Sequence, residues 1–116
     1  MIKSLLVACG LLAVTAGLSF AETEIGKPAP NFSLPDTNGK THSLADLKGK
    51  YVVLEWYQPD CPFVRKHYRS GNMQALQKEY TAKGVVWLSI DSSAPGAEGN
   101  YPAGKLNEIA AQDSAS

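Results

Sequence analysis

The sequence is short of cysteine, and that shortage bounds its chemistry first. It holds two, Cys9 and Cys61. Cys9 lies in an N-terminal apolar run, so beyond that run Cys61 stands alone. An internal disulfide framework is excluded for residues 22–116. The lone thiol is reactive, bonded to another chain, or buried and inert. An excess of one charge is also lacking, because eleven Lys and Arg face eleven Asp and Glu. That balance supplies no basic patch for nucleic acid and no electrostatic pull toward a membrane surface. No apolar run reaches the ~20 residues that a spanning helix needs. No internal repeat is present.

What is there begins with an export signal. Lys3 gives a positive start, Leu5 to Leu18 is an apolar run, and Ser19-Phe20-Ala21 puts small residues at the positions a signal peptidase reads. Cleavage after Ala21 is expected, leaving a periplasmic or secreted chain with no membrane attachment. Leu6-Val7-Ala8-Cys9 looks like a lipoprotein cleavage box. The apolar core continues past Cys9, however, which favours ordinary cleavage. The expected organisation is a signal peptide over 1–21, one small domain over 22–112 and a polar tail over 113–116.

Within the domain, Asn31-Phe-Ser-Leu34 alternates between Pro30 and Pro35 and reads as a short strand. Asp36-Thr-Asn-Gly39 is turn chemistry, and Lys40 to Ser43 returns as the second arm of a hairpin. Ser43 is placed to cap a short helix over Leu44 to Lys48, stopped by Gly49. Tyr51 to Tyr57 is apolar, β-branched and aromatic except for Glu55, which suits a strand covered on both faces. Pro62 opens a helix that Ser70-Gly71-Asn72 should break. Asn72 is placed to recap a second piece, with Met73, Leu76 and Tyr80 on one face and Gly84 as its stop. Val85 to Ile90 is a second buried strand. Ser92 to Gly104 is a loop, and Lys105 to Gln112 forms a short helix. This order predicts a right-handed βαβ unit and an α/β fold. Cys61 then falls past the carboxyl end of the first parallel strand, at a helix N-terminus, where such sheets place their chemistry.

A helix N-terminus offers unpaired N–H groups and partial positive charge, which favour a thiolate. Arg65, Lys66 and His67 lie about one turn on and push the same way, while Asp60 opposes them. Glu55 has two readings: a buried acid under the thiol loop, suited to proton exchange, or an acid on an uncovered face or edge. His67 diverges from Cys61 by roughly 240° round a helix of 3.6 residues per turn, so no metal site is expected there. His42 reads as an exposed hairpin residue. No cofactor is expected.

The segment Glu55-Trp-Tyr-Gln-Pro-Asp-Cys-Pro-Phe-Val-Arg-Lys-His-Tyr68 resembles the thioredoxin-like superfamily, in particular redoxin proteins of the AhpC/TSA type. Ile25-Gly-Lys-Pro-Ala-Pro-Asn-Phe-Ser-Leu34 is similar to the lead-in of redoxin domains. Ser70 to Gln77 and Val85 to Ile90 match exported bacterial members, so the resemblance runs from Ile25 to about Ala111. It implies a thioredoxin-like fold with an N-terminal hairpin and a βαβ core, lacking the family's last two strands and terminal helix. The site it implies has Cys61 as nucleophile, Glu55 as proton relay, and Arg65 and Lys66 as thiolate stabilisers.

Three departures qualify what the resemblance implies. Val64 stands where thioredoxins carry a resolving cysteine, so cycling within that motif is excluded. Leu54 and Gln58 stand where peroxiredoxins carry proline and Thr or Ser. The family's cis-proline loop is not matched, and the strand over Tyr51 to Tyr57 becomes an edge open to pairing with a second chain. The leading expectation is a thiol oxidoreductase whose Cys61 attacks a disulfide or peroxide. Its partner is a protein or small-molecule thiol that resolves the product. The alternatives are a non-catalytic thioredoxin-like binding protein and an incomplete fragment that does not fold alone.

Overall fold

The computed structural model describes residues 23–114. The expected signal peptide, with Cys9, lies outside the described residues. The chain divides into two compact units, Met1–Pro30 and Asn31–Ser116. In the first, the described residues include a turn at Gly26, where φ is 81° and the Lys27 N–H donates to the Glu24 carbonyl at 3.2 Å. The helices and strands among the described residues lie in the second unit.

It opens with an antiparallel hairpin of β1, Ser33–Pro35, and β2, Thr41–Ser43, in which Leu34 sits opposite His42. Asp36 organises the turn, its carboxylate accepting the N–H groups of Asn38 and Lys40 at 2.9 Å each. Gly39 supplies the positive φ of 81° that the turn requires. His42 is not the freely exposed residue expected, because its ring lies 2.8 Å from Asp36 and is two-thirds covered. That contact, followed by the backbone donors, holds the Asp36 carboxyl below its usual range. A 3-10 helix, Leu44–Leu47, follows, and Ser43 makes no side-chain cap. Asn31 takes that role from upstream, accepting the Ala45 N–H at 2.9 Å.

The βαβ unit forms as expected. β3, Val52–Trp56, and β4, Val86–Ile90, pair in parallel, with Leu54 level with Leu88 and Trp56 with Ile90. Among the described residues each sheet has two strands, so β3 pairs with β4 alone. The crossover is α1, Pro62–Arg69, and α2, Asn72–Ala82. Gly71, with φ of 73°, rather than Asn72, occupies the N-cap of α2. At the far end the Gly84 N–H reaches the Thr81 carbonyl and the Val85 N–H the Tyr80 carbonyl, a paired closure that needs the glycine at positive φ. α3, Ala103–Ser114, starts two residues earlier than expected and takes in the first half of the expected polar tail. None of the helices among the described residues is long and apolar enough to cross a membrane.

The expectation of a strand covered on both faces is corrected. Leu54 and Trp56 point to the open face and are 37% and 64% exposed. Glu55 and Tyr57 take the other face, where Tyr68 of α1 meets them. α2 turns an unexpected side inward as well. Leu76 and Tyr80 are each 40% exposed, whereas Gln74 and Gln77 use their amides on Tyr68 and Glu55. Tyr57 and Tyr68 are the buried hydrophobic residues of the described chain. Its inner layer is therefore aromatic and hydrogen-bonded rather than aliphatic.

Candidate functional site

Cys61 is half-buried and unpaired, the free cysteine of the described residues. The parallel register ends β3 and β4 level, so the turn after β3 and the loop after β4 leave from the same end of the sheet. The Cys61 N–H closes that turn on the Gln58 carbonyl at 3.1 Å. Its own carbonyl accepts the Arg65 N–H at 2.9 Å, the first bond of α1. Cys61 is therefore the N-cap, extended at φ −65° and ψ 123°, with its side chain bonded to no helix N–H. Pro62 contributes no N–H, so Phe63 and Val64 supply the free donors of the first turn. A thiolate at an N-cap lies where those donors are accepted.

Cys61 lines a cleft of about 280 Å³ together with Trp56, Tyr57, Gln58, Val64, Asp91, Ser92 and Ser93. Arg65 and Lys66 are exposed on α1 and do not line it. His67 is turned to Asn72, 3.2 Å from Nδ1.

Glu55 sits on the helix-facing side of β3. Its carboxylate accepts Tyr68 Oη–H at 2.8 Å, Gln77 Nε2–H at 3.0 Å and Trp87 Nε1–H at 2.7 Å, with Ser89 Oγ at 3.4 Å. The acid is half-covered by the helices, yet none of these hydrogen bonds joins it to Cys61. The Tyr68 hydroxyl also accepts from Gln77 at 2.9 Å. Burial, then the Glu55 carboxylate, pushes the Tyr68 phenol well above its ordinary value. Tyr57 is held similarly, by burial first and then by its 2.5 Å bond to Asp113 of α3. Tyr57 lines the Cys61 cleft and also a second cavity of about 290 Å³ bordered by Tyr68, Gln77 and Trp87. Its ring is a shared wall.

Sequence reasoning passed over Tyr57, Tyr68, Gln77 and Trp87. Period-two alternation from Glu55 finds Tyr57, and the level register finds Trp87 and Ser89. Asp113 and Tyr101 carry no local signal.

A βαβ core with a cysteine at the N-cap of its crossover helix, beyond the strand ends, defines a thioredoxin-like redoxin domain. The AhpC/TSA family model matches residues 25–111, and the chain belongs to that family. It is 36% identical over 92 residues to a thiol-disulfide oxidoreductase ResA of Bacillus cereus, covering 76% of this chain and 52% of that protein. It is 41% identical over 69 residues to the thioredoxin-like protein YneN of Bacillus subtilis, covering 59% and 39%. A protein named as a putative peroxiredoxin, bcp of Coxiella burnetii, is 36% identical over 72 residues, covering 61% and 46%. The chain spans about half the length of the ResA relatives it matches.

Proposed function

We propose that this chain is an exported thiol-disulfide oxidoreductase working through Cys61. The observation that carries this reading is the half-buried Cys61 at the N-cap of α1, lining an open cleft. Its thiolate attacks one sulfur of a substrate disulfide, forming a mixed disulfide and releasing the other sulfur as a thiolate. An external thiol then attacks the mixed disulfide, regenerates the Cys61 thiolate and carries away the bound half. The external step is required because Val64 stands at the resolving position. Likeness to thiol-disulfide oxidoreductases supports a disulfide as substrate. Leu54 and Gln58, in the places of the peroxidase residues, weigh against a peroxide.

The exposed Arg65 and Lys66 enter this reading as cations that favour the thiolate and an anionic leaving group through space. Glu55 enters as a proton relay reaching the site by way of Tyr68, whose ring packs on the cleft-lining Tyr57. The signal-like segment over 1–21 supports export to the periplasm or beyond.

The test is reduction of a peptide–glutathione mixed disulfide by the full chain, with a small thiol as donor. Cys61→Ser is expected to abolish it. Full activity in that variant sinks the proposal.

A further inference from the structure

The turn that carries Cys61 is held by a segment forty residues away in sequence. Asp60 accepts the Tyr101 hydroxyl at 2.7 Å, and Gln58 donates its side-chain amide to the Glu98 carbonyl at 3.1 Å. Pro59, between them, is buried. The close approach requires a glycine: Gly99 is buried at φ of +84°, and a Cβ there would lie 2.5 Å from Gln58 Nε2. The loop after β4 thus grips the turn on both sides of Pro59, immediately before the sulfur.

We infer that Tyr101 is a positioning residue for Cys61: its hydroxyl ties the Asp60 carboxylate to the 91–102 loop, so that neither the turn nor the charge beside the sulfur is free to move. The inference rests on the thiol reading above. The Asp60 carboxylate also keeps the Tyr101 hydroxyl above its ordinary value.

The physical consequence follows from what a released Asp60 would do. Aspartate is among the best acceptors for the free N–H groups of a helix start, and here those groups are Phe63 and Val64. An untied carboxylate competes for them with the Cys61 thiolate and repels it by like charge. The other charged groups near the site are fixed differently. Asp91, which lines the cleft, accepts the Ser93 N–H at 2.8 Å. Glu98 lies near Tyr101 and offers its backbone carbonyl to Gln58. Arg65, Lys66 and His67 lie on exposed positions of α1.

The experiment is the pH dependence of Cys61 alkylation by iodoacetamide in the full chain, read at Cys61 by peptide mass mapping. Four proteins are compared: the parent chain, Tyr101→Phe, Asp60→Asn and the double variant. Circular dichroism confirms that each is folded. Tyr101→Phe is expected to raise the midpoint by about half a pH unit, the size of a modest like-charge effect. Asp60→Asn is expected at or below the parent value, and the double variant should match Asp60→Asn alone.

An unchanged midpoint in folded Tyr101→Phe overturns the inference. So does an equal rise in both backgrounds, which would mean general loosening rather than the Asp60 charge. If Tyr101→Phe fails to fold, Asp60→Asn decides, and a midpoint above the parent's overturns the inference. The readout is ionisation and not turnover. A chain that shows this pattern without exchanging disulfides sinks the oxidoreductase reading and leaves this one standing.

Discussion

Tyr57 and Tyr68 meet edge to face, ring centroids 5.3 Å apart at 76°, and each gives its hydroxyl to a different carboxylate. Tyr57 holds Asp113 of α3 and Tyr68 holds Glu55 of β3. This pair ties the sheet, the crossover and the last helix together.

Tyr68→Phe keeps the ring and removes the hydroxyl. Glu55 Oε1 then loses its donor and Gln77 one of its acceptors. The expected loss is about 1–2 kcal/mol, the usual cost of stranding a covered hydrogen-bonding group. Urea unfolding of variant and parent measures it.

Glu55→Gln replaces an acceptor by an amide among three good donors. Stability is expected to fall by roughly 1–3 kcal/mol. The Cys61 alkylation midpoint should stay in place, since no described hydrogen bond joins the two residues. A shifted midpoint would instead support Glu55 as the proton relay.

Alkaline pH should unfold the domain early. Both buried phenols are held above the ordinary tyrosine value of 10.0. In the unfolded chain they ionise near that value; in the folded chain they keep their protons longer. The folded state then binds more protons than the unfolded one, so stability is intact below about pH 10 and declines above it. Tyr57→Phe and Tyr68→Phe should each flatten that decline in urea midpoints measured against pH.

Two glycines with nearly the same φ should respond differently to alanine. At Gly84, φ is +85° and nothing lies within 4 Å of an added Cβ, so only the left-handed penalty of about 1–2 kcal/mol applies. At Gly99, φ is +84° and Gln58 must also be displaced. Gly99→Ala should be the less stable of the two and should also change Cys61 alkylation, which Gly84→Ala should leave alone.

Trp56 is 64% exposed and borders the Cys61 cleft. Trp56→Ala should change stability by under about 1 kcal/mol, as surface substitutions do. On the proposed function it should raise KM for an apolar peptide disulfide more than it lowers kcat.

The strands, the broken crossover helix and the glycine stops were legible in the sequence because each is written locally. Apolar runs mark β3 and β4, and Gly84 ends α2 where its neighbours demand it. What stayed hidden depends on residues that meet only in space. Ser43 looked like a cap, but Asn31, 14 residues from Ala45, does the capping. Met73, Leu76 and Tyr80 looked like the inner stripe of α2. The inner layer is polar there, because Gln77 donates to the Glu55 carboxylate and Gln74 to the backbone carbonyls of Tyr68 and Asp113. Cys61 was visible as the candidate nucleophile from its proline-flanked place between strand and helix. Its link to Tyr101 was not, since the two halves of that clasp share no sequence pattern.

That clasp also carries a clock. Asp60 and Tyr101 are 41 residues apart. A chain emerging from the ribosome presents its thiol well before the residues that steady it. β3, both crossover helices and β4 must be made before the 91–102 loop can close on the turn. A chain that stops short of Tyr101 lacks the hydroxyl that Asp60 accepts, so its turn stays unclasped.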